Sequence, residues 1–204
     1  MPQEIAPEVV ARVSRRLAQH AGLDLPAWVV EARTAQRVAA TGIAPSEYAE
    51  LIQTPRGAAE LDELTEAVRV GETRLFRHRS QIQALVDVVA PALRARGKKA
   101  IRVWSAGCAG GEEPFTLAAV LAQALPGVVI SIVGSDVSAD ALAMARQARY
   151  PASAWNDIPE TWRDAFVHDG DAVCVAPAIA SLVKFERANL ASAGDPTPRG
   201  CDLV

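Results

Sequence analysis

The sequence predicts an α/β protein in which a small all-α domain, residues 1–70, is followed by a larger domain, residues 71–204, built on a parallel sheet. In the first domain, apolar residues recur at helical spacing and do not alternate with period two. From residue 100 onward, short apolar strands alternate with helical segments, the order typical of a parallel sheet with crossover helices. Further on, two apolar runs flank an Asp-Gly-Asp turn and predict a small β-hairpin subdomain at about residues 164–187.

Four helices are expected in the first domain. The first ends before Gly22 and the second near Gly42, since glycine commonly follows the last helical residue. The apolar stripe of the first helix consists of Val9, Val10, Val13 and Leu17. The other helices cover about residues 25–39, 46–52 and 57–70. Their apolar faces are expected to pack against one another as a small bundle.

The second domain begins with a strand at residues 101–105. A Gly-rich turn, a helix at about 112–125 and a second strand at 128–133 follow. Ser138 is the expected N-cap of the next helix, which runs from residue 139 to about 149. Residues 150–161 are expected to be irregular, 166–175 to form the hairpin, 182–186 to form a strand, and 201–204 to open another.

Charge and cysteine content exclude several classes of function. The net charge of −3 provides no basic field for nucleic acid, so no nucleic-acid partner is expected. Three widely spaced cysteines and three scattered histidines predict neither a disulfide framework nor a metal site, and they fit a cytoplasmic protein. No signal peptide is expected, and no apolar run approaches the ~20 residues that a membrane-spanning helix needs, so membrane insertion is not expected either.

A cofactor loop is predicted where the first strand leads into its helix, at residues 105–114 (SAGCAGGEEP). Glycines allow the backbone to approach a ligand, and a helix N-terminus offers free N–H groups. The segment lacks the lysine of a P-loop and the glycine spacing of a dinucleotide fingerprint. Glu112 and Glu113 at the helix start would repel a pyrophosphate and attract a cation, although acidic residues there also complement the helix dipole.

Asp136 follows the second strand, at the edge of the sheet where an adenosine-type ligand places its ribose. A carboxylate in this position can accept hydrogen bonds from both ribose hydroxyls. The alternative is an aspartate that caps the next helix or holds a loop. S-adenosylmethionine (SAM) fits both features, because it carries a ribose, a sulfonium and an ammonium but no phosphate.

Four segments resemble the CheR family of chemoreceptor glutamate methyltransferases, and together with the helical N-terminal domain they extend over nearly the whole chain. Residues 71–78 (GETRLFRH) are similar to the family's N-x-T-x-F-F-R motif. Residues 103–115 (VWSAGCAGGEEPF) are similar to its R-[VI]-W-S-A-x-x-[ST]-G-E-E-P-Y segment. Residues 135–138 (SDVS) resemble its S-D-I-[SD], and residues 185–190 (FERANL) its F-x-x-x-N-L.

The resemblance implies a Rossmann-like SAM methyltransferase domain, with SAM as cofactor and S-adenosylhomocysteine (SAH) as product. Arg77 is implied as the catalytic residue that holds a carboxylate near the sulfonium, either that of the substrate or that of the methionyl end of SAM, a task that suits the bidentate guanidinium. Cofactor binding is implied for Gly71, Thr73, Arg77, Ala106, Gly107, Glu112, Glu113, Asp136, Val137, Asn189 and Leu190. From the residues alone, Thr73 is equally explained as a helix N-cap, Arg77 as a surface arginine, and residues 189–190 as a strand-end turn.

The implied function is SAM-dependent O-methylation of glutamate side chains on chemoreceptors, the methyl-accepting signalling proteins. A glutamate acceptor, with a reference pKa of about 4.3, is ionised at neutral pH, so the transfer needs orientation and shielding but no general base. The alternative is a non-catalytic SAM- or SAH-binding regulatory domain of a larger signalling protein. A small-molecule methyltransferase is disfavoured, because a helical domain joined to the G-E-T-x-x-F-R segment is a trait of the family.

Departures from the family pattern modify these expectations. Gly71 stands where the family has asparagine and loses a polar contact, and Leu75 replaces an aromatic residue. The hairpin loop is shorter than in members that dock on a receptor-tail pentapeptide, so independence of that peptide is expected. Residues 1–70 carry seven arginines against ten acidic residues, whereas the best-known members have a basic helical domain. The chain stops at Val204, inside the family's D-[LVI]-[IV]-x-C-R-N-V-x-I-Y-F segment, and a C-terminally truncated methyltransferase, inactive by itself, is expected.

Overall fold

A computed structural model describes residues 5–69, 73–192, 194 and 197–204. The chain divides into two compact units, which consist of residues 1–70 with 189–195 and of residues 71–188 with 196–204. We call the first the helical unit and the second, which contains a parallel sheet, the α/β unit. The predicted α/β class, with a helical N-terminal region before a parallel sheet, is confirmed.

The helical unit contains α1 (Pro7–Ala21), α2 (Ala27–Thr41), α3 (Pro45–Leu51) and α4 (Ala58–Val68), with a 3-10 turn (Pro55–Gly57) before α4. Proline opens α1 and α3, where its missing N–H removes no intrahelical bond. Gly22 and Gly42 follow α1 and α2 in the left-handed conformation, with φ of 67° and 69°. The predicted helix ends at these two glycines are confirmed.

The core of the helical unit consists of the apolar stripes of its helices. The predicted stripe of α1 is buried throughout. It packs with residues from the other three helices, namely Val30, Val38, Tyr48, Ala49, Ile52, Leu61, Leu64 and Val68. Each fully buried aliphatic side chain contributes ~1.5–3 kcal/mol, so this shared core is what holds four short helices together.

A network of polar side chains joins three helices of this unit. Arg37 of α2 donates two hydrogen bonds to Glu60 of α4, at 2.8 and 2.7 Å, and the Tyr48 hydroxyl of α3 donates to the same carboxylate at 2.8 Å. The side chains of Arg37 and Glu60 are 24% and 14% exposed. Hydrogen bonding from the Arg37 guanidinium lowers the pKa of Glu60, while burial raises the pKa of Tyr48. Glu60 is therefore an ionised carboxylate whose partners are all supplied by the fold.

The α/β unit begins with a helical segment that our sequence analysis did not predict. It comprises α5 (Arg79–Ala84), a π-helical turn (Leu85–Val89) and α6 (Ala90–Ala95). Pro91 has no N–H to donate to the carbonyl of Asp87 one turn earlier, which accounts for the widened turn. The sequence does contain a pattern that predicts this helical segment. It is an apolar stripe at helical spacing, formed by Ile82, Leu85, Val86, Val89 and Leu93.

The rest of the unit contains β1 (Ala100–Ala106), α7 (Glu112–Ala124), β2 (Val129–Asp136), α8 (Ala139–Gln147), β3 (Arg149–Pro151), 3-10 turns at Ala152–Asp157 and Glu160–Ala165, β4 (Phe166–Asp169), β5 (Ala172–Val175), α9 (Pro177–Ala180) and β6 (Val183–Arg187). Among the described residues, β1, β2 and β6 form a parallel sheet in that order. Leu203 pairs with Val103 in parallel, so the segment predicted to open a further strand lies along β1. Ser138 accepts the N–H of Ala141 at 2.9 Å, which confirms the predicted N-cap of α8.

A second sheet is antiparallel, with the order β3-β5-β4. The predicted hairpin is confirmed and turns at Gly170 and Asp171, where Gly170 has φ of 58°. The bounds of 164–187 for the β-subdomain are wrong, because the sheet already includes residues 149–151 and because β6 pairs with β2 instead. The prediction of an irregular segment at 150–161 also missed β3, which is three residues long and depends on non-local pairing with β5.

The core of the α/β unit lies between the parallel sheet and its helices. Strands β1 and β2 and helix α7 contribute several deeply buried members, namely Ile101, Val103, Phe115, Ala118, Val120, Leu121 and Ile132. Within the described part of the chain, no helix is both long and apolar enough to cross a membrane.

Candidate functional site

The predicted cofactor loop joins the carboxyl end of β1 to the start of α7. Gly107, Ala109 and Gly111 have positive φ angles of 77°, 45° and 87°. A Cβ atom on Gly111 would lie 2.9 Å from the Cβ of Ala145 and 3.0 Å from the ring of Phe185. The left-handed backbone and the close packing both require glycine at this position.

The loop is attached to the end of the neighbouring strand β2. The N–H groups of Gly107 and Cys108 both donate to the carbonyl of Ser135, at 2.8 and 2.9 Å. The indole Nε1 of Trp104 donates to the Ser135 hydroxyl at 2.8 Å. These bonds fix the loop at the carboxyl edge of the parallel sheet, which is where such sheets bind ligands.

Asp136 holds the cofactor loop and the start of α8 at the same time. It is 7% exposed, and its two oxygens accept the N–H of Ala109 at 2.8 Å and that of Ser138 at 3.0 Å. The loop-holding role considered from the sequence is therefore present. A carboxylate offers about four acceptor positions, so ribose hydroxyls can be accepted in addition, and that contact stays a prediction.

Glu112, at the first position of α7, has an unusual environment for a carboxylate. Burial raises its pKa, and a hydrogen bond with Thr73 acts in the opposite direction. Within the described residues, its Oε2 atom is buried and has no hydrogen-bond partner. A Cβ atom on Gly110 would lie 2.9 Å from that oxygen, so the carboxylate rests against the loop backbone. An unused buried acceptor is rare in folded proteins and suits a cationic ligand group.

Glu113 differs from Glu112 although the two are adjacent. Its side chain is exposed, and its Oε1 accepts the hydroxyl of the buried Ser105 at 2.5 Å. Glu113 thus links α7 to the end of β1. The sequence predicts one shared role for the two glutamates, whereas the structure gives them different surroundings.

A tight turn at residues 73–77 lies next to the start of α7. Phe76 has φ of 55°, a conformation that costs a non-glycine residue on the order of 1 kcal/mol. Its N–H donates to the Thr116 hydroxyl at 3.0 Å, and its ring stacks on Trp162 with a centroid distance of 5.3 Å. The turn brings Thr73 to Glu112 and leaves Arg77 exposed.

Two buried side chains at the cofactor loop stay protonated, namely Tyr150, which contacts the loop, and Cys108, which is part of it. The Tyr150 hydroxyl donates to the carbonyl of Gly110 at 2.9 Å, and burial raises the pKa of Tyr150. Burial, reinforced by Asp136, raises the pKa of the Cys108 thiol to about 12, so this cysteine is not a nucleophile at neutral pH. Sequence reasoning missed Tyr150, because 40 residues separate it from Gly110 and no local pattern signals the contact.

Two further predicted site residues lie in the α/β unit. Ala106 is exposed at the end of β1. Val137 is half-buried, and its carbonyl accepts the Nε–H of Arg187 at 2.9 Å. The structure therefore brings together Thr73, the loop with Gly107, both glutamates, Asp136 and Val137 at one edge of the sheet.

Asn189 and Leu190 belong to the helical unit. The Asn189 amide donates to the backbone carbonyl of His20, and its oxygen accepts the N–H of Ala191 at 3.0 Å. Leu190 is 54% exposed. Their predicted contact with adenosine stays a prediction, and Gly71, also predicted to bind the cofactor, lies outside the described residues.

The residues that are present fit SAM better than a phosphate-bearing cofactor. Glu112 places a buried carboxylate oxygen, which has no hydrogen-bond partner among the described residues, at the N-terminus of α7. An anionic phosphate would be repelled there, whereas an ammonium or sulfonium would be attracted. In the part of the chain that the structure describes, no group of three or more His, Cys, Asp or Glu side chains is placed to hold a metal ion.

Comparison with known proteins finds chemotaxis protein methyltransferases. The enzyme of that name from Listeria monocytogenes is 29% identical over 150 residues, which cover 73% of this chain and 56% of that protein. Chemotaxis protein methyltransferase 1 of Pseudomonas aeruginosa is 33% identical over 156 residues, 71% of this chain and 56% of the relative. Chemotaxis protein methyltransferase 2 of the same species is 28% identical over 193 residues, 89% of this chain and 68% of the relative. The chain thus spans between about half and two thirds of the length of these relatives.

Residues 71–204 match the family described as CheR methyltransferase, SAM binding domain. This range contains the cofactor loop, Asp136 and the turn at 73–77, and it confirms both the resemblance seen in the sequence and SAM as the cofactor. The chain belongs to the CheR methyltransferase family, and its residues 71–204 are that family's SAM-binding domain.

Proposed function

We propose that this protein is a SAM-dependent protein-glutamate O-methyltransferase that acts on chemoreceptors. The observation that carries the proposal is the carboxylate of Glu112, which is half-buried beside the cofactor loop and has an oxygen without a partner among the described residues. The names of the relatives, chemotaxis protein methyltransferases, favour an enzyme over a non-catalytic SAM-binding domain.

SAM supplies a methyl group on a sulfonium, and transfer of that methyl to a carboxylate oxygen leaves SAH as the thioether product. The residues of the site have to orient a glutamate side chain that is already ionised at neutral pH. Arg77 is exposed at the end of the turn that carries Thr73, and we assign it the role of holding the acceptor carboxylate. Cys108 and Tyr150 stay protonated, so neither acts as a base.

The remaining predicted residues divide between the two ends of the cofactor. Glu112, with Thr73, is proposed to receive the ammonium of the methionyl end. Asp136 is proposed to accept the ribose hydroxyls while it holds the loop. The adenosine moiety is assigned to Val137, and the loop backbone at Ala106 and Gly107 is proposed to line the cofactor.

We further propose that receptor recognition does not require a tail pentapeptide. The β4–β5 hairpin turns within two residues and has no extended loop. Arg149 closes this turn through Asp169 at 3.2 Å and Asp171 at 3.1 Å. Micromolar binding of a receptor-tail pentapeptide to the full-length protein would contradict this independence. Under this proposal, the cytoplasmic protein recognises its receptor through a surface other than the hairpin.

The proposed function is tested with labelled SAM and purified chemoreceptor fragments. Full-length protein is expected to transfer label to glutamate residues, and Arg77→Ala is expected to lower kcat ~100-fold or more because the acceptor loses its orientation. The absence of transfer by wild-type protein that binds SAH would reject the enzymatic function while leaving the SAM site intact.

The cofactor site is tested separately by calorimetric titration with SAH. Asp136→Ala is expected to weaken SAH binding, since it removes the acceptor for the Ala109 and Ser138 N–H groups. Asp140→Ala is the matched control, because Asp140 is an exposed aspartate in the first turn of α8. Equal SAH affinity in wild type and Asp136→Ala would remove the site assignment.

A further inference from the structure

We infer that Thr116 is a positioning residue for methyl transfer, because its hydroxyl connects the start of α7 to the turn that carries Arg77. This inference rests on the proposed function of Arg77. Thr116 lies on α7 and is 4% exposed. Its hydroxyl donates to the carbonyl of Glu112 at 2.7 Å and accepts the N–H of Phe76 at 3.0 Å.

The Thr116 hydroxyl can form both hydrogen bonds at once, because it donates in one and accepts in the other. A threonine hydroxyl has one proton to donate and two lone pairs to accept with. The proton is directed to Glu112, the first residue of α7, and a lone pair is directed to Phe76, 40 residues earlier in the chain. The hydroxyl therefore connects two segments that no helix or sheet bond would otherwise join at this point.

The turn at Phe76 needs such support. Its φ of 55° is a left-handed conformation that residues with a side chain rarely adopt, so surrounding contacts have to maintain it. The ring is held by stacking on Trp162 at 5.3 Å and by an edge contact with Phe166 at 6.0 Å. The backbone N–H is held by Thr116. Arg77 follows directly, so the direction of its side chain depends on this backbone conformation.

Thr65 provides a matched control in the same chain. It is also 4% exposed, and its hydroxyl also donates to the carbonyl four residues earlier, that of Leu61, at 2.7 Å. It lies on α4 in the helical unit, and its hydroxyl bond to Leu61 stays within that helix. A threonine-to-valine change at either position keeps the side-chain shape and removes one intrahelical hydroxyl bond, while only the change at Thr116 also removes the acceptor for Phe76.

The test compares Thr116→Val, Thr116→Ser and Thr65→Val in the full-length protein. Steady-state kinetics with labelled SAM and a chemoreceptor fragment are expected to give a kcat for Thr116→Val that is ~10- to 100-fold below wild type, as for a small displacement of a catalytic group. The KM for SAM is expected to change by less than about threefold, since none of the proposed cofactor ligands is removed. Thr116→Ser keeps the hydroxyl and is expected to retain most of the kcat, as is Thr65→Val.

Hydrogen exchange of the Phe76 amide gives a readout that does not depend on activity. Exchange is expected to speed up by at least tenfold in Thr116→Val and to stay unchanged in Thr116→Ser and Thr65→Val. Unchanged exchange in Thr116→Val overturns the inference, and so does fast exchange with a wild-type kcat. Should Thr116→Val fail to fold, Thr116→Ser still tests the inference. A kcat of the folded Thr116→Ser variant that is ~10-fold or more below wild type would overturn the inference. An inactive wild-type protein with the expected exchange pattern would reject the proposed function and leave the structural connection standing.

Discussion

Two carboxylates, one in each unit, are largely removed from water and yet have opposite environments. Glu60 in the helical unit accepts hydrogen bonds from Arg37 and Tyr48, and the guanidinium lowers its pKa. Glu112 in the α/β unit has a pKa raised by burial, and its Oε2 atom has no hydrogen-bond partner among the described residues. The fold supplies the partners of Glu60, whereas among the described residues one oxygen of Glu112 has none and is available to a ligand.

The difference separates a stabilising acid from a ligand-binding acid. A buried charge is expensive to leave unpaired, so folds normally supply its partners. At Glu112, one oxygen has no hydrogen-bond partner among the described residues, an arrangement that lowers stability and allows a cation to bind. We therefore expect substitution of Glu60 to lower the stability of the fold and substitution of Glu112 to weaken cofactor binding.

The largest expected effect is on stability, from Glu60→Gln. The amide cannot form the charge-assisted pair with Arg37, and the guanidinium is left partly buried. We expect a loss of about 2–3 kcal/mol in the free energy of unfolding, less than for a fully buried pair because Arg37 and Glu60 are partly exposed. Urea denaturation measures the loss. Glu31→Gln, at an exposed position of α2, is the control. An equal loss of stability in that variant would show that the hydrogen bonds of Glu60 are not the cause of the loss.

A smaller effect is expected in the pH dependence of stability, with opposite signs at the two sites. The pKa of Glu60 is lowered in the folded state, so its stabilising contribution is present above its ordinary value of 4.5 and is lost as the pH falls below it. The pKa of Glu112 is raised, so its ionised form destabilises the fold at neutral pH and the penalty disappears as the pH falls towards 4.5.

Unfolding free energies of wild type, Glu60→Gln and Glu112→Gln between pH 3.5 and 7 measure both trends. The advantage of wild type over Glu60→Gln is expected to shrink on acidification. The disadvantage of wild type relative to Glu112→Gln is expected to shrink as well. A wild-type protein that is more stable than Glu112→Gln at pH 7 would show that the fold does provide Glu112 with partners.

The smallest expected effect is at Thr34, a second place where a buried polar atom lacks a partner. Thr34 is 0% exposed on α2, and its hydroxyl has no hydrogen-bond partner among the described residues. Thr34→Val replaces that hydroxyl by a methyl group of similar size. The change is expected to be neutral or to stabilise the protein by up to about 1 kcal/mol, measured by urea denaturation. A loss above 1 kcal/mol would mean that the hydroxyl does form a bond.

The features that could be predicted from the sequence are those set by local pattern. The stripe of α1, the glycines that end α1 and α2, the cap at Ser138 and the hairpin at Gly170 follow from spacing and turn chemistry. The cofactor loop and Asp136 were found for the same reason, since they stand at strand ends.

The features that were missed depend on contacts between distant residues. The strand β3 exists because it pairs with β5, and Tyr150 joins the site because its hydroxyl reaches Gly110. Thr116 reads as an ordinary helical residue until Phe76 is placed against it. Glu112 and Glu113 are adjacent in sequence but differ in exposure, because successive residues of a helix point in different directions. Glu112 faces the cofactor loop, and Glu113 faces solvent.

The central claim is that Glu112 receives the cationic end of the cofactor. Its most direct test compares the binding of two ligands to the wild-type protein and to Glu112→Gln. SAH and 5′-methylthioadenosine share the adenosine and the thioether, but only SAH carries the amino-acid end with its ammonium. Calorimetric titration of the full-length protein is expected to show that Glu112→Gln weakens SAH binding by ~10-fold or more, the value of one charge-assisted hydrogen bond, and leaves methylthioadenosine binding unchanged. An equal loss for both ligands, or no loss for SAH, would contradict the claim that Glu112 receives the cationic end of the cofactor.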